Sequence, residues 1–209
     1  GNFNPPKKII LNPKFIKKLP KKEFFSGLGE MGHYFFLSNK KDYLFYKNSL
    51  KKIDDKKKLD IYKIIFKSLS IKKKYIEKDE FDKNIRLNLN YGHTFGHAIE
   101  NLTNLPHGIS VAHGMDISNY ISFKNNFITY KTYLEMRETL DLIIKHYKIK
   151  QININKMLHL IKKDKKSTKK NIRVILTKGI GKMLISKIND KVKFMNDLIE
   201  YCHKNKIKI

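Results

Sequence analysis

The chain has 209 residues, a single cysteine and a formal charge of +26 at pH 7, with 45 lysines and arginines against 19 acidic residues. This length favours one domain with one core, and a single cysteine excludes a disulfide framework or a cysteine-based metal site. The positive charges are spread along the whole chain, which predicts at most non-specific nucleic-acid binding that weakens as salt rises. No apolar run approaches the ~20 residues that span a bilayer, so we expect no membrane partner and a cytoplasmic location, with an organelle left open.

The first twenty residues are predicted to be mostly irregular. Pro5 and Pro6 disfavour a helix at the amino end, and the run Lys8–Leu11 predicts one short strand. Pro13 and Pro20 interrupt the segment that follows. We therefore interpret residues 1–20 as a strand with a linker, and residues 21–209 as a helical domain.

Apolar residues at helical spacing predict that most of the remaining chain is α-helical. One helix begins near residue 23, and a charged, amphipathic helix occupies the region 51–85. Later helices are predicted over four segments: Asp116–Asn125, Tyr133–Lys148, Asn155–Lys163 and Asp190–His203. The alternating runs in residues 172–188 predict one β-hairpin with a glycine turn. The predicted fold is mainly α with one small hairpin and an amino-terminal strand.

Histidines are concentrated between residues 86 and 115, where four of the eight lie: His93, His97, His107 and His113. His93 and His97 are four residues apart, which places both imidazoles on one helix face. Imidazole is the commonest protein ligand for zinc, and this pair with a third histidine would form most of a site. An isolated pair would more often be cap or core histidines, but four in one window favour metal binding. The H-E-x-x-H pattern of zinc proteases is excluded because Thr94 follows His93.

The sequence from Arg86 reads R-x-x-x-N-x-G-H-T-F-G-H-A-I-E and is followed by the pair His107–Gly108. This pattern resembles the signature of the 3-dehydroquinate synthase family, within the sugar-phosphate cyclases. Inosose and valiolone synthases share the G-H-T core, but the flanks LNLN and FGHAIE favour the dehydroquinate branch. The resemblance implies a lyase of the shikimate pathway, which leads to chorismate and the aromatic amino acids. Such an enzyme converts a seven-carbon sugar phosphate into 3-dehydroquinate, with phosphate elimination and the use of NAD.

The resemblance also implies a metal centre and catalytic residues. It assigns Glu30, His93 and His107 as ligands of one Zn²⁺ or Co²⁺ ion, with an open position for substrate oxygens. His97 would organise proton transfer without binding the metal. Two further residues are assigned to the catalytic group: Lys72 and Asp82. The family commonly has a glutamate at the latter position, so the side chain here is one methylene shorter.

Five residues are implied to bind the substrate: His33, Arg86, Asn90, Lys165 and Lys166. Arg86 would make paired hydrogen bonds to an anionic group. The family commonly has a lysine where this chain has His33, so a permanent positive charge is replaced by a group that titrates near neutral pH. It also often has a glutamate at the position of Ile109. These departures keep two alternatives open: another sugar-phosphate cyclase and an inactive relative.

The family's amino-terminal half binds NAD through glycine-rich turns, and these 209 residues contain no G-x-G-x-x-G motif. We therefore expect residues 1–20 to be the last strand and linker of an NAD-binding domain whose remainder lies elsewhere. The partners implied are a phosphorylated sugar, a possible separate NAD-binding half and a second copy in a homodimer. The chain would then be a half enzyme, a fragment or an inactive relative, and alone it should not turn over substrate. A basic nucleic-acid-binding module is the non-enzymatic alternative.

Overall fold

The structure is a computed structural model and describes residues 7–53, 60–163 and 172–209. Within these ranges it is mostly helical with one antiparallel hairpin, which confirms the predicted fold class. The α-helices are α1 (Lys21–Leu37), α2 (Lys40–Leu50), α3 (Ile61–Lys78), α4 (His93–Thr103), α5 (His107–Lys124), α6 (Tyr130–Ile144), α7 (Ile154–Lys163) and α8 (Lys191–Lys204). Short 3-10 helices cover Pro13–Lys18 and Ile85–Asn90, and β1 (Ile172–Thr177) pairs with β2 (Met183–Ile188).

Local sequence determines where these helices begin. Five of the described helices follow a residue whose side chain accepts a hydrogen bond from a backbone N–H three residues later: Asn39, Asp60, Thr129, Asn153 and Asp190. Such capping satisfies one of the free donors at a helix start. Helices α4 and α5 begin differently, after Gly92 with φ of 81° and after Pro106. A left-handed Asn104 and Pro106 reverse the chain between these two helices, so that α4 and α5 pack directly against each other.

Helix α5 is the centre of the fold. Every residue from 108 to 122 is buried, and the helix contacts α1, α4, α6, α8 and β1. A helix that is buried on all sides belongs in the interior of a domain, so α5 is the element around which the others pack. The first residue of α5, His107, lies at the edge of this core and is half-buried.

Two glycines allow α1 and α5 to cross at very short distance. A Cβ atom built on Gly108 would lie 1.8 Å from the carbonyl oxygen of Ser26, and one built on Gly29 would lie 2.2 Å from the carbonyl oxygen of Gly108. The Gly108 N–H donates to the Ser26 hydroxyl at 3.0 Å across the same contact. Only glycine tolerates this approach of two backbones. The contact places Glu30, the next residue of α1, beside His107.

Several predicted boundaries are corrected. Lys8–Leu11 forms no strand, because no neighbouring strand lies beside it in the described part of the chain and a single strand is not stable alone. Apolar residues near it are strongly exposed: Ile9 is 72% exposed, Ile10 79% and Phe15 73%. The helix predicted over 51–85 covers only Ile61–Lys78, and residues 54–59 lie outside the described residues. None of the described helices is long and apolar enough to cross a membrane.

A buried histidine within α5 gives a prediction about acid stability. His113 is 5% exposed, and its Nε2 donates to the carbonyl of Tyr147 at 2.9 Å. Burial lowers the pKa of His113 from 6.5 to about 4, although the hydrogen bond opposes this shift. Nearby Asp116 is also buried, and burial raises the pKa of its carboxyl to about 6. The two groups therefore contribute to stability with opposite pH dependence.

We expect His113→Gln to reduce the acid sensitivity of the domain. The neutral imidazole is favoured in the folded chain, so its contribution is complete above pH 6.5 and is lost as the pH falls towards 4. Between pH 7 and pH 5 this loss amounts to about 2 kcal/mol. Urea unfolding at both pH values gives the slope, which is the change in the free energy of unfolding with pH. In the variant this slope should lack the contribution of His113. The exposed His159 provides a control, because His159→Gln should leave the slope unchanged. Equal slopes for His113→Gln and the unmodified chain would contradict the prediction.

Candidate metal and substrate site

Three side chains from three helices converge at the amino ends of α4 and α5. Glu30 projects from α1, His93 is the first residue of α4, and His107 is the first residue of α5. The Oε2 atom of Glu30 lies 3.5 Å from Nε2 of His93 and 3.4 Å from Nε2 of His107. All three potential ligand atoms lie within 4.8 Å of one another. The structure therefore brings together the three residues that the sequence predicted as one metal site.

The spacing of these atoms suits a divalent ion. Ligands at ~2.0–2.2 Å in tetrahedral geometry are separated from one another by ~3.4 Å. The distances of 3.4 and 3.5 Å from Glu30 to the two imidazoles match this value. Glu30 Oε2 is buried and has no hydrogen-bond partner in the described part of the chain. Since a buried carboxylate oxygen without a partner is costly, the atom is placed for a cation.

The electrostatics of the site follow from the same contacts. Burial alone would raise the pKa of Glu30, but the neighbouring imidazoles of His107 and His93 hold that pKa well below its usual range. The contact with Glu30 raises the pKa of His107 to about 9, against the effect of burial and with help from Glu100. A carboxylate held in its charged form beside two imidazoles is one of the donor sets found in catalytic zinc sites.

His97 lies next to the three residues without belonging to their cluster. Its ring centre is 5.6 Å from that of His93 and 5.6 Å from that of His107. The set of atoms within 4.8 Å of one another does not include it. This placement agrees with the predicted role for His97 outside the metal's ligands, although that role remains a prediction.

Glu100 is the last residue of the motif that begins at Arg86, and the sequence predicted no role for it. Its Oε2 accepts a hydrogen bond from Nδ1 of His107 at 2.9 Å. The motif H-A-I-E places Glu100 one turn after His97 on α4, so the sequence already indicated that it lies near the histidines. Its partner could not be identified from spacing, because the contact depends on the tight reversal between α4 and α5.

A cavity of about 210 Å³ opens beside the cluster. Its walls contain two members of the cluster and four of the other predicted site residues; the lining is Glu30, His33, Tyr34, Asp82, Arg86, Leu89, Asn90 and His93. The predicted Lys72 lies near this cavity, with its Nζ 6.0 Å from the centre of the Tyr34 ring. The predicted Lys165 and Lys166 lie outside the described residues. The cavity thus combines a potential metal centre with polar and basic groups.

Asp79 organises the loop that carries Asp82 and Arg86. Its carboxylate accepts hydrogen bonds from three backbone N–H groups, those of Lys83 at 3.0 Å, Asn84 at 2.6 Å and Arg86 at 3.1 Å. These hydrogen bonds lower the pKa of Asp79. Asp82 has a φ of 55°, and the Arg86 guanidinium donates to the carbonyl of Glu80 at 2.5 Å. The sequence showed Asp79 only as one of several acids after α3.

His33 occupies the inner wall of the cavity. It is 1% exposed, and its Nδ1 lies 3.9 Å from Glu30 Oε1 without a hydrogen-bond partner within the described ranges. Burial lowers the pKa of His33 to about 3, so the imidazole carries no charge at neutral pH. The ring also packs edge-on against His93, with 4.9 Å between ring centres. Where the family resemblance predicts a lysine, this wall therefore carries an uncharged imidazole.

The chain is similar to known proteins of one family. The family described as "3-dehydroquinate synthase C-terminal" matches residues 27–167. The chain belongs to the 3-dehydroquinate synthase family. The 3-dehydroquinate synthase of a Helicobacter pylori strain is 39% identical and aligns with 87% of this chain and 52% of its own length. That of Buchnera aphidicola subsp. Cinara cedri is 34% identical over 99% of this chain and 57% of its own length. The chain spans about half the length of the curated relatives it matches.

Solved structures of sugar-phosphate cyclases have the same fold. A 2-deoxy-scyllo-inosose synthase in complex with carbaglucose-6-phosphate, NAD⁺ and Co²⁺ superposes with a TM-score of 0.71 at 21% identity, over 87% of this chain and 53% of that one. A 2-epi-5-epi-valiolone synthase from Streptomyces hygroscopicus subsp. jinggangensis 5008, with NAD⁺ and Zn²⁺ bound, has a TM-score of 0.73 at 15% identity, over 92% and 55%. At these identities the likeness concerns the fold alone.

Proposed function

We propose that this domain holds the metal ion and the substrate of a 3-dehydroquinate synthase reaction, in which a seven-carbon sugar phosphate cyclises and loses phosphate. The observation that carries the proposal is the convergence of Glu30, His93 and His107 beside a cavity that also contains Arg86 and Asn90. Family membership supports the same reaction. The metal-ligand roles are part of the proposal, and the closeness of the three side chains supports them.

Glu30, His93 and His107 would hold Zn²⁺ or Co²⁺ and leave one position open to substrate oxygens. When bound, the ion would supply Lewis-acid polarisation of those oxygens. His97 lies within one helical turn of His93 and outside the ligand set, so it can exchange a proton with the substrate or with water. The proton step is therefore assigned to His97 in this proposal.

The substrate's polar groups would contact the loop and the wall of the cavity. Arg86 presents a permanent positive charge that suits a carboxylate or a phosphate. Asn90 offers an uncharged amide that can donate to one substrate hydroxyl and accept from another. Asp82 and Lys72 would complete the rim, and His33 would contact an uncharged group. We include Lys165 and Lys166 as predicted contacts of the substrate's anionic end.

The hydride transfer of the family reaction requires NAD, and these 209 residues contain no G-x-G-x-x-G motif. We propose that NAD is bound outside them, either by another part of the same polypeptide or by a separate chain. Residues 1–20 would form the connection to that domain, in agreement with the exposure of Ile9 and Ile10. Homodimerisation and a cytoplasmic location remain predictions.

Reconstitution would test the proposed function. The 209-residue chain would be mixed with, and separately fused to, the amino-terminal half of the Helicobacter pylori relative, in the presence of NAD and Zn²⁺. We expect phosphate release and 3-dehydroquinate formation from the seven-carbon sugar phosphate only when both halves are present. His97→Asn in the same fusion should retain zinc and lose turnover, which provides the matched control.

Three results would contradict the proposal. Robust turnover by the 209 residues alone would show that NAD need not be bound outside them. Phosphate release from a hexose 6-phosphate but not from the seven-carbon substrate would identify a different sugar-phosphate cyclase. A fusion that binds zinc and NAD yet converts neither substrate would identify an inactive relative.

A further inference from the structure

The two histidines of the proposed metal site differ in what holds their second ring nitrogen. Nδ1 of His93 lies 3.2 Å from the backbone carbonyl of Tyr91, which is neutral. Nδ1 of His107 lies 2.9 Å from a carboxylate oxygen of Glu100. In both rings an acceptor faces Nδ1, so Nδ1 donates to it, and Nε2 is the nitrogen that faces Glu30 and would bind the metal. One histidine of the site is therefore held by a neutral acceptor and the other by a charged one.

We propose that Glu100 is a positioning residue that fixes the tautomer and orientation of His107 for metal binding. A ligating histidine that donates its other N–H to a carboxylate becomes a stronger and better oriented ligand. Glu100 also brings a second negative charge near the proposed divalent ion, in addition to Glu30. This inference rests on the proposed metal site, and it concerns a residue for which we have assigned no role in the reaction.

A purely structural role for Glu100 is the competing interpretation. Glu100 and His107 are seven residues apart and lie on either side of the turn between α4 and α5, so their contact also joins the two helices. Both side chains are about 40% exposed, at 39% and 40% respectively, and exposed ion pairs contribute little to folding stability. The two roles predict different measurements. A link between helices affects unfolding, whereas a positioning residue affects metal affinity and the histidine tautomer.

Zinc affinity of the purified chain, measured by competition with a chromophoric chelator, would test the proposal. We expect Glu100→Gln to weaken zinc binding by about 10-fold, because its amide oxygen can still accept from Nδ1, and Glu100→Ala by about 100-fold. The visible absorption spectrum of the Co²⁺ form should change in the same order. Glu77→Gln, which removes one exposed carboxylate from α3, should leave both measurements unchanged.

Nitrogen-15 NMR of the imidazoles in the metal-free chain gives a second readout that does not depend on zinc. The pKa of His107, raised to about 9 by its contact with Glu30, keeps the metal-free ring doubly protonated at neutral pH, so the spectra would be recorded above pH 9. There we expect His107 to carry its proton on Nδ1 in the unmodified chain and to show a mixture of tautomers in Glu100→Ala. An unchanged tautomer and unchanged zinc affinity in Glu100→Ala would overturn the inference. Failure of the unmodified chain to bind zinc would instead count against the proposed metal site, while the tautomer would still decide the role of Glu100.

Discussion

Replacing Glu30 by glutamine is expected to weaken zinc binding at least ~100-fold, more than the ~10-fold loss expected for the same replacement at Glu100, which only supports a ligand. Glu30 Oε2 lies within 3.5 Å of both imidazole Nε2 atoms and has no hydrogen-bond partner among the described residues. An amide is a much weaker metal ligand than a carboxylate, and it removes the only acidic ligand of the proposed triad. The helix propensities of glutamate and glutamine are similar, so α1 should remain folded.

Chelator competition would measure this loss, and thermal unfolding without metal would show whether the fold is intact. His97→Asn is the matched control, because His97 lies 5.6 Å from both ligand rings and outside the triad. Its zinc affinity should equal that of the unmodified chain. A comparable loss in both variants would show that His97 is a ligand, as the spacing of His93 and His97 alone allows. No loss in Glu30→Gln would mean that histidines hold the metal without a carboxylate.

The sequence revealed the chemistry of the site more completely than its geometry. His93 and His97 are four residues apart, so their common location on one helix face followed from helical periodicity. The mainly α fold with one hairpin was also predictable, because apolar spacing repeats along most of the chain. Boundaries were less predictable. A helix expected over 51–85 covers only Ile61–Lys78 in the described residues.

The parts that could not be predicted depend on contacts between distant segments. Glu30 meets His107 because Gly29 and Gly108 allow two backbones to touch, and nothing in either local sequence shows that these glycines face each other. Glu100 meets His107 because Asn104 adopts a left-handed conformation before Pro106. The prediction of a strand at Lys8–Leu11 was wrong because strand formation also depends on a distant segment. Its pattern was suitable, but strand formation requires a partner that the described residues do not contain.

Gly29→Ala should destabilise the domain strongly, whereas Gly27→Ala in the same helix should not. A Cβ at position 29 would lie 2.2 Å from the carbonyl oxygen of Gly108 and 2.8 Å from its carbonyl carbon. Since both contacts are backbone atoms, no side-chain rotation can relieve them. We expect a loss at the upper end of the roughly 1–3 kcal/mol that is typical of overpacked cores. Gly27 has nothing within 4 Å of the same position. Its replacement should stabilise α1 by about 0.5–1 kcal/mol, because glycine is a poor helix former.

Urea unfolding of the two variants at 25 °C would therefore separate the close crossing of α1 and α5 from the general effect of glycine in a helix. The same crossing holds Glu30 beside His107, so Gly29→Ala should also weaken zinc binding under conditions where the variant is still folded. Gly27→Ala should bind zinc with unchanged affinity. If Gly29→Ala were as stable as Gly27→Ala and bound zinc equally well, α1 and α5 could not cross at this distance. The metal site would then have to be assembled without the contact between Gly29 and Gly108.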